Sequence, residues 1–515
     1  MVITPTMIPW LSRLCRGAQA PKPALTVGVV FLGACLTTLQ GRLFSVALTD
    51  LRGVFGLDVV EGALLSVAMN GAQLLTMPVT VWLSLVFGPT RVIIVPSLAI
   101  GLVALAVPFV RGYEQILVLH VILGLCLGTY LPLTLSLALR NLKPHFWLLA
   151  MGVYSLRASF GTDAGLGLSG LYVDVIDWRW VYWTGALVGP LIAFLAWKAL
   201  PLTPVDHHRL RESDWGGMAM FCLSLILLFA GCSLGELLGW FDSGLVTACL
   251  FAGGILLTMS ILNLALNKDA FADFAALRNH NVRVALLIAC LYGVLMCPTS
   301  VLIPNFLTLV GKFKALQIGM ATIVVFGAYL AMTPLAAWLA RRVDTRLLLI
   351  SGLSLIVFTS AYCGSSISNE WRIGQYVLAL VLLSIGECLT LMGIIPIIIV
   401  NLNPAHSVAI GFFAPLARLF APGVAGGVIA LALRVSSDAH GVVLREGVGV
   451  GQPLVVQRTA GNSILAIASA IEREAAVLSY VDAFYLVMWI GVAALLLAAT
   501  LRQAPLNPLT PPRSA

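Results

Sequence analysis

Residues 375–400 show most plainly what kind of fold this chain adopts. They read QYVLALVLLSIGECLTLMGIIPIIIV, and Glu387 is the one charged side chain among them. A helix needs ~20 consecutive apolar residues to cross the hydrocarbon core of a bilayer. A run of this length is also too continuously apolar for the alternating strands of a membrane barrel. The stretch therefore predicts a transmembrane α-helix.

Fourteen apolar runs of this kind follow one another along the chain, and we number them as spans 1 to 14. Of all 515 residues, 60% are hydrophobic and 10% are charged, whereas a soluble domain has about 25% charged residues. We therefore expect an all-α polytopic membrane protein. A soluble enzyme, a disordered chain and a receptor with a single anchor are excluded. The predicted bounds are 24–49, 62–86, 92–110, 115–139, 147–172, 180–199, 216–235, 244–266, 284–309, 317–339, 347–368, 375–400, 408–433 and 483–501.

The charged residues of the loops indicate how the spans are oriented. The chain has 30 Lys and Arg against 22 Asp and Glu, which gives a net charge of +8. If the amino terminus lies inside, the inner segments hold seventeen Lys and Arg and the short outer loops hold six. Cytoplasmic loops carry such an excess by the positive-inside rule. Both termini are therefore predicted to be cytoplasmic, and the basic charge requires no nucleic-acid partner.

A short repeat indicates that the chain is duplicated. The pattern Pro-x-x-x-Trp-Leu occurs at 78–83 and again 256 residues later at 334–339, each time just before an inner loop that contains arginine. Spans 1–6 would then repeat as spans 9–14, with spans 7 and 8 inserted between them. Transporters use internal repeats of this kind to build two bundles around a site at the midplane. The predicted domains are a cytoplasmic tail 1–23, a first bundle 24–199, a linker 200–283 with the inserted spans, a second bundle 284–501 that includes a periplasmic loop 434–482, and a cytoplasmic tail 502–515.

The few polar and ionisable side chains inside the spans are the candidate functional residues. An ionisable side chain at the bilayer centre costs roughly 2.5–3.5 kcal/mol on insertion scales, and it usually faces a bundle interior or a water-filled cavity. Desolvation favours a neutral carboxyl, and a neighbouring arginine favours a charged one, so alternation between the two environments can move a proton. The proton-coupling candidates are Asp163, Glu387 and His120. The substrate and charge-network candidates are Arg42, Arg157, Arg418 and Gln40.

Each of these candidates also has a structural interpretation. Arg157 and Asp163 are six residues apart in span 5, about 240° around an α-helix, so the two side chains do not share a face. Arg157 could instead form an ion pair that holds the two bundles together. His120 could be a hydrogen-bonded histidine of the core, and only its near-neutral reference pKa keeps a proton relay open. The glycines of span 5 could serve close helix packing or sliding of the bundles.

Several motifs lie where spans meet loops. Span 5 contains Gly165-Leu-Gly-Leu-Ser-Gly170 and is followed by Trp178-Arg179-Trp180. The loop after span 2 contains Gly88 and Arg91, and the loop after span 10 contains Arg341, Arg342, Asp344 and Arg346. These stretches resemble the antiporter motif, the Trp-Arg-Trp signature and the gating loops of the major facilitator superfamily. The resemblance is to its fourteen-span drug:proton antiporters of the EmrB/QacA type, and it extends over about residues 25–501.

The resemblance implies a major facilitator fold, with two six-helix bundles plus two inserted helices, and an exporter in a bacterial inner membrane. It also places Arg418 at a span-13 arginine of the family and implies that the periplasmic segment could contact an adaptor protein. The chain departs from the family pattern at several positions, which include Val81 and Leu85 in the first inner loop and Ser169 in the antiporter motif. Gln40 stands in place of the span-1 aspartate, His120 in place of the span-4 arginine, and Leu166 in place of the antiporter-motif proline.

The function predicted from these residues is secondary active transport, with proton-coupled export of a small amphipathic or anionic compound by alternating access. Buried arginines in both halves favour an anionic group on the substrate. The departures from the family motifs keep open a dedicated exporter of an endogenous metabolite, such as a siderophore, and a non-transporting sensor or scaffold is a further alternative. The chain has no P-loop and no His-Glu-x-x-His motif, so an ATP-driven pump or a metal-dependent intramembrane enzyme is not expected. No cofactor and no metal are predicted; the expected partners are the substrate, protons and the bilayer.

Overall fold

The computed structural model describes residues 23–142, 146–211, 213–267, 279–401, 416–447 and 464–502. All regular secondary structure within these ranges is helical. The predicted tails 1–23 and 502–515 lie almost entirely outside the described residues.

The described helices follow the fourteen predicted apolar runs in order. A short helix, His207–Arg211, lies between spans 6 and 7. The observed spans are span 1 Pro23–Phe55, span 2 Val59–Val86, span 3 Pro89–Ala106, span 4 Tyr113–Leu127 with Tyr130–Asn141, span 5 Trp147–Ser159 with Phe160–Ala164, Gly165–Leu171 and Tyr172–Ile176, span 6 Trp180–Ala199, span 7 Trp215–Leu238, span 8 Gly244–Leu266, span 9 His280–Leu295 with Pro298–Leu302 and Ile303–Leu309, span 10 Ala315–Leu339, span 11 Thr345–Ser366, span 12 Ile373–Asn401, span 13 Leu416–Phe420 with Ala421–Gly447, and span 14 Ile464–Ala499.

Thirteen helices among the described residues are long and apolar enough to cross a bilayer. Span 5 is not one of the thirteen. It carries Arg157 and Asp163, and π-helical turns interrupt it at two places. Its place between spans 4 and 6 and its burial between the two bundles nevertheless make it the fourteenth spanning segment of an all-α membrane fold.

Spans 5, 9 and 13 each contain a π-helical turn, which is a rare feature that often occurs at functional sites. The turns are Phe160–Ala164, Pro298–Leu302 and Leu416–Phe420, and span 5 ends in another at Tyr172–Ile176. In span 9 the cause includes Pro298 and Pro304, because proline has no amide hydrogen to donate to the preceding turn. Asp163, Thr299 and Arg418 all lie on these turns.

The apolar core is divided into two large clusters. One cluster consists of buried residues between Val29 and Leu200, from spans 1–4 and 6 and the residues that directly follow spans 3 and 6; span 5 adds partly buried residues such as Phe160 and Leu168. The other consists of residues between Val284 and Leu501, together with Leu166 from span 5. The fold therefore has two helical bundles, each with its own core, and span 5 reaches from the first bundle into the second.

An equivalent arginine contact occurs in each bundle, as expected if the second bundle repeats the first. Arg91, after span 2, donates from Nη1 to the main-chain oxygen of Thr203, just beyond span 6, at 2.7 Å. Arg346, after span 10, donates from Nη1 to the main-chain oxygen of Leu501, just beyond span 14, at 2.9 Å. In each bundle an arginine of one loop thus holds the chain where the last span of the bundle ends.

The helices of spans 13 and 14 extend beyond their predicted ends. The segment 434–482 is predicted to be a periplasmic loop, but span 13 continues to Gly447 and span 14 begins at Ile464. Polar contacts between the two extensions explain why the helices continue. Asp482 accepts hydrogen bonds from Ser436 Oγ at 2.5 Å and from His440 Nε2 at 2.9 Å.

Span 7 packs between the two bundles. On one side its Cys222 Sγ donates to the main-chain oxygen of Leu75 in span 2 at 3.4 Å. On an adjacent face the Phe229 ring packs on Gly423 of span 13, and the main chain of Cys232 lies against Gly427. Span 8 packs against span 7, and the two helices contact each other at Gly231 of span 7 and Gly253 of span 8. Span 7 therefore belongs to the interface between the bundles, and span 8 lies on its outer side.

Candidate functional site

A cavity of about 420 Å³ lies between the two bundles. Residues of spans 1, 2, 4 and 5 form one wall, and residues of spans 9, 12 and 13 form the other, with Phe229 of span 7 between them. The two walls differ sharply in chemistry, so the cavity itself is amphipathic.

The wall from the first bundle is polar and basic. Its polar members are Thr37, Thr38, Arg42, Ser45, Ser66, Asn70, Gln73, Tyr154, Arg157 and Thr162. A carboxylate or a similar anionic group would find two guanidinium groups and several hydroxyl and amide donors on this side. Arginine is well suited to such a group because its planar fork can donate two parallel hydrogen bonds.

The wall from the second bundle is almost entirely apolar. Its apolar members are Leu286, Ala289, Met296, Val301, Leu391, Ile394, Ile395, Ile398, Ile399, Ala417, Leu419 and Pro422. Each fully buried side chain of this kind contributes about 1.5–3 kcal/mol of hydrophobic free energy when water is removed. An alkyl or aromatic part of a ligand would therefore favour this side.

Arg42 joins the two bundles at the cavity. Its Nε donates to the main-chain oxygen of Thr162 at 3.2 Å, and its Nη2 donates to the main-chain oxygen of Ser300 at 3.1 Å. Both acceptors lie on π-helical turns, one in span 5 and one in span 9. Gly165 lies directly against the Arg42 side chain, since a Cβ at that position would be 2.9 Å from Cγ. The antiporter-like glycine thus makes room for the arginine.

Arg157 is the largest fully buried side chain of the wall, with 1% of its surface exposed. Its Nε donates to the main-chain oxygen of Tyr154 at 3.1 Å, and its guanidinium carbon lies 4.4 Å from the centre of the Tyr154 ring. The Tyr154 ring and carbonyl fix the direction of the guanidinium. Arg157 therefore lines the cavity as a cationic group whose orientation is already set.

Asp163 lies behind the polar wall, one residue beyond the lining residue Thr162. It is 5% exposed and accepts a hydrogen bond from Ser159 Oγ at 2.6 Å. Its main-chain oxygen accepts a hydrogen bond from Thr322 Oγ1 of span 10 at 2.9 Å, and its carboxyl is within electrostatic reach of Arg42. Ser159 is not among the candidates predicted from the sequence. Its position four residues before Asp163 on one helix nevertheless indicates that the two side chains could contact each other.

Glu387 occupies a similar position behind the opposite wall. It is 7% exposed, and Thr299 Oγ1 donates to its Oε1 at 2.6 Å. Thr299 precedes the lining residue Ser300 on the π-helical turn of span 9, and Glu387 is within electrostatic reach of Asp163. Each half of the molecule therefore holds one carboxyl close to the cavity with a single hydroxyl donor beside it.

His120 and Gln40 lie in the core of the first bundle, away from the residues that line the cavity. His120 donates from Nδ1 to the main-chain oxygen of Ile116 at 2.8 Å, and Tyr182 Oη lies 3.1 Å from Nε2. Gln40 Nε2 donates to the main-chain oxygen of Val181 at 2.6 Å. Both side chains thus join spans of the same bundle, which is the structural role that the sequence left open for His120.

The predicted role of Arg418 is not tested by the described residues. Arg418 belongs to the π-helical turn Leu416–Phe420, and Ala417 and Leu419 on either side of it line the cavity. The Arg418 side chain is outside the described part of the chain, so its assignment stays a prediction.

The predicted gating loops make contacts that hold helix ends. Gly88 has φ +83° before span 3, a left-handed conformation that glycine adopts readily, and a Cβ there would meet Thr203 Oγ1 at 2.0 Å. Asp344 caps span 11 by accepting from the Arg346 amide at 3.0 Å and pairs with the Arg346 guanidinium at 2.8 Å. The guanidinium carbon of Arg342 lies 4.6 Å from the centre of the Trp338 ring, and Arg341 is exposed between these residues.

Glycines of span 5 bring the bundles into backbone contact. A Cβ on Gly319 of span 10 would be 2.1 Å from Gly167 Cα, and a Cβ on Gly170 would be 2.3 Å from the amide nitrogen of Leu316. Small residues at helix interfaces allow this close approach inside a membrane. At this end of spans 5 and 10 the two bundles therefore meet without intervening side chains.

Two helical bundles around one amphipathic cavity are an architecture that polytopic membrane transporters use. Residues 30–270 match the family model described as Major Facilitator Superfamily. The match covers slightly less than half of the chain and indicates a resemblance to this superfamily.

Relatives in other organisms support this resemblance. The multidrug export protein EmrB of Haemophilus influenzae is 22% identical over 346 residues, which cover 66% of this chain and 66% of that protein. The multidrug export protein EmrB of Escherichia coli K12 is 21% identical over 315 residues, 61% of each chain. The match thus spans slightly less than two thirds of the length of these exporters. The fatty acid resistance protein FarB of Neisseria gonorrhoeae is 20% identical over 414 residues, 80% of this chain and 81% of that protein.

Solved structures show the same fold. The proton:xylose symporter XylE, bound to 6-bromo-6-deoxy-D-glucose, superimposes with a TM-score of 0.55 at 12% identity, over 92% of this chain and 94% of that one. An auto-inhibited POT family peptide transporter gives a TM-score of 0.55 at 16% identity, over 93% and 98%. These relatives and neighbours are transporters and not enzymes.

The stretch Gly231-Cys-Ser-Leu-Gly235 has the spacing of a hydrolase nucleophile elbow, but it lies within the helix of span 7 and not at a strand-to-helix turn.

Proposed function

We propose that the protein exports a small amphipathic or anionic compound in exchange for protons, by alternating access of the cavity to the two sides of the membrane. The main support for this proposal is the cavity, which has two arginines on one wall, an apolar opposite wall, and one buried carboxyl behind each wall. The exporter relatives support the direction of transport, since they are named for multidrug export and fatty acid resistance.

The substrate is oriented by the difference between the walls. Its anionic group contacts Arg42 and Arg157, and its apolar part contacts the isoleucines of span 12. Both contacts favour the same orientation, because burying the charge on the apolar side would leave it without a hydrogen-bonding partner. A compound that lacks the anionic or the apolar part loses its contacts with one of the two walls.

Protons are coupled to this movement through Asp163 and Glu387. Each carboxyl is buried with one hydroxyl donor, and water entering from one side stabilises the charged form while closure favours the neutral form. The Asp163 carboxyl also interacts electrostatically with Arg42, and Arg42 contacts the second bundle through Ser300. Separation of the bundles therefore changes the charge environment of Asp163, and this change links protonation to the direction in which the cavity opens.

The charge of the loops supports an orientation with both termini in the cytoplasm of a bacterial cell, in its inner membrane. The extensions of spans 13 and 14 then project on the periplasmic side. Val435, Val442 and Val443 on the first extension are 52% to 65% exposed, which suits contact with a periplasmic adaptor protein. A fluorescent reporter fused after Ala515 tests the orientation, because fluorescence only from the periplasm would contradict it. Cysteine cross-linking from position 442 tests the adaptor, and the absence of any cross-linked protein in intact cells would count against it.

Reconstituted liposomes test the central proposal. The purified protein should accumulate radiolabelled dodecanoate against its gradient when a proton gradient is imposed in the opposite direction. Asp163→Asn and Glu387→Gln should each abolish this uphill movement and keep dodecanoate counterflow. Asp174→Asn is the matched control, because Asp174 is an exposed carboxyl at the end of the same span. Uphill transport that persists in the Asp163→Asn, Glu387→Gln double variant would overturn the coupling assignment.

A further inference from the structure

The inserted span 7 contributes a side chain to the central cavity. Phe229 is 5% exposed, and its exposed edge belongs to the cavity surface. Among the described residues of spans 7 and 8 it is the one that lines the cavity. The cavity wall is thus not made by the two repeated bundles alone.

The Phe229 ring is fixed from the side of the second bundle. A Cβ on Gly423 of span 13 would be 2.1 Å from Phe229 Cε2, so the ring packs directly on the backbone of that span. One turn further on, a Cβ on Gly427 would be 2.3 Å from the main-chain oxygen of Cys232. Glycines at both positions let span 7 approach span 13 closely enough for the ring to reach the cavity.

Span 7 is held equally closely to the first bundle. Ile226 lies 3.4 Å from the Cβ position of Gly71 in span 2, and Cys222 donates to the main-chain oxygen of Leu75. Span 2 and span 13 therefore contact adjacent faces of span 7. Phe229, one turn after Ile226 on this helix, lines the cavity beside both contacts.

We propose that Phe229 is a specificity-determining residue, which limits the width of the apolar group that the cavity accepts. The assignment rests on the proposed function, because it assumes that the cavity holds an amphipathic anion. With the anionic group at Arg42 and Arg157, the apolar group extends toward Leu419, Pro422 and the Phe229 ring, all of which line the same cavity. A linear alkyl chain passes beside the ring, whereas a fused polycyclic group meets it.

Two carboxylates of different width test this assignment. Dodecanoate carries a linear chain and 1-pyrenebutyrate carries four fused rings, and the KM of each is measured in liposomes. Phe229→Ala should lower the KM for pyrenebutyrate relative to that for dodecanoate by at least threefold, and Phe229→Leu should have a smaller effect. Phe221→Ala is the matched control, because Phe221 lies two turns earlier on span 7, is 3% exposed and does not line the cavity. An unchanged KM ratio in Phe229→Ala, or the same change in Phe221→Ala, overturns the proposal.

A labelling experiment decides the position of the ring without transport. In a variant without the native cysteines, Phe229→Cys should react with a small water-soluble thiosulfonate, and Phe221→Cys should not. Equal reactivity at both positions, or none at position 229, overturns the assignment of Phe229 to the wall. If the wild-type protein moves neither carboxylate, the proposed function fails in its substrate class. The labelling result then still supports or overturns the wall assignment.

Discussion

Arg42 Nη2 donates a 3.1 Å hydrogen bond to the main-chain oxygen of Ser300, so that a side chain of the first bundle is bound to the backbone of the second. The same guanidinium faces the cavity and lies within electrostatic reach of Asp163. One group thus contacts the opposite bundle, the proposed anion site and a proposed proton carrier.

Removal of the Arg42 charge should weaken the binding of anions selectively. Hydrogen bonds to charged groups contribute about 1.5–3 kcal/mol, which corresponds to a 10- to 150-fold increase in Kd. We therefore expect Arg42→Gln to raise the Kd for dodecanoate by at least tenfold and to leave that for dodecanol within twofold, as measured by equilibrium binding to purified protein. Arg42→Lys keeps the charge and should show a smaller effect. Equal losses for the acid and the alcohol would show that Arg42 supports the cavity without contacting the anion.

Thr299 and Glu387 should be energetically coupled, because the threonine hydroxyl donates to the carboxyl at 2.6 Å. In a double-mutant cycle with Thr299→Val and Glu387→Gln, contacting residues typically show interaction energies of ~0.5–3 kcal/mol. Denaturant unfolding in detergent measures the cycle. Ser384→Ala with Glu387→Gln provides the control, since Ser384 lies on the same helix but donates to the main-chain oxygen of Val325. Coupling as large in the control cycle would argue against a specific contact between Thr299 and Glu387.

A methyl group at Gly319 should force the bundles apart at one end. Because a Cβ there would be 2.1 Å from Gly167 Cα, Gly319→Ala should destabilise the closed contact, and overpacking typically costs about 1–3 kcal/mol. We expect a cysteine pair placed across spans 5 and 10 at this end to cross-link several-fold more slowly in the variant. Gly327→Ala on the same span has nothing within 4 Å of its Cβ and should leave the cross-linking rate unchanged. A rate that Gly319→Ala does not alter would mean that spans 5 and 10 do not close against each other there.

Loss of the Arg346 guanidinium should loosen the end of span 14. Arg346→Met removes the hydrogen bond to the main-chain oxygen of Leu501, and the amides of residues 498–502 should then exchange about tenfold faster with deuterium, because 1.4 kcal/mol is a factor of ten. Mass spectrometry of that peptide measures the change. Arg342→Met serves as the control, since Arg342 lies on the same loop but packs on the Trp338 ring. Equal exchange in both variants would contradict the role of Arg346.

The sequence predicted the helical class and most of the spans because each run is long and its charges are few. It also singled out Glu387, since one carboxyl in 26 apolar residues is conspicuous. It could not identify Thr299 as the partner of Glu387, because the two residues are 88 positions apart and meet only through packing. Long-range pairing of this kind leaves no periodic pattern in a single chain.

Other differences have equally local causes. His120 attracted attention by its residue type, but the hydroxyl of Tyr182 and the carbonyl of Ile116 place it in a core. Phe229 escaped notice because span 7 is apolar on all sides, so no face stands out as the one that meets the cavity. The extensions beyond span 13 and before span 14 looked like a loop because polar residues interrupt their apolar runs.

The placement of span 7 also bears on how a fourteen-span chain relates to a twelve-span one. Near one end of span 7, Ser213 accepts a hydrogen bond from Trp82 Nε1 at 2.9 Å, and near the other end Glu236 pairs with Arg434. The helix is thus attached to the first bundle at one end and to the second bundle at the other. Excision of the inserted pair would remove both attachments and leave a phenylalanine-sized opening in the cavity. A shortened chain would therefore need new residues along spans 2 and 13 before these two spans could pack against each other.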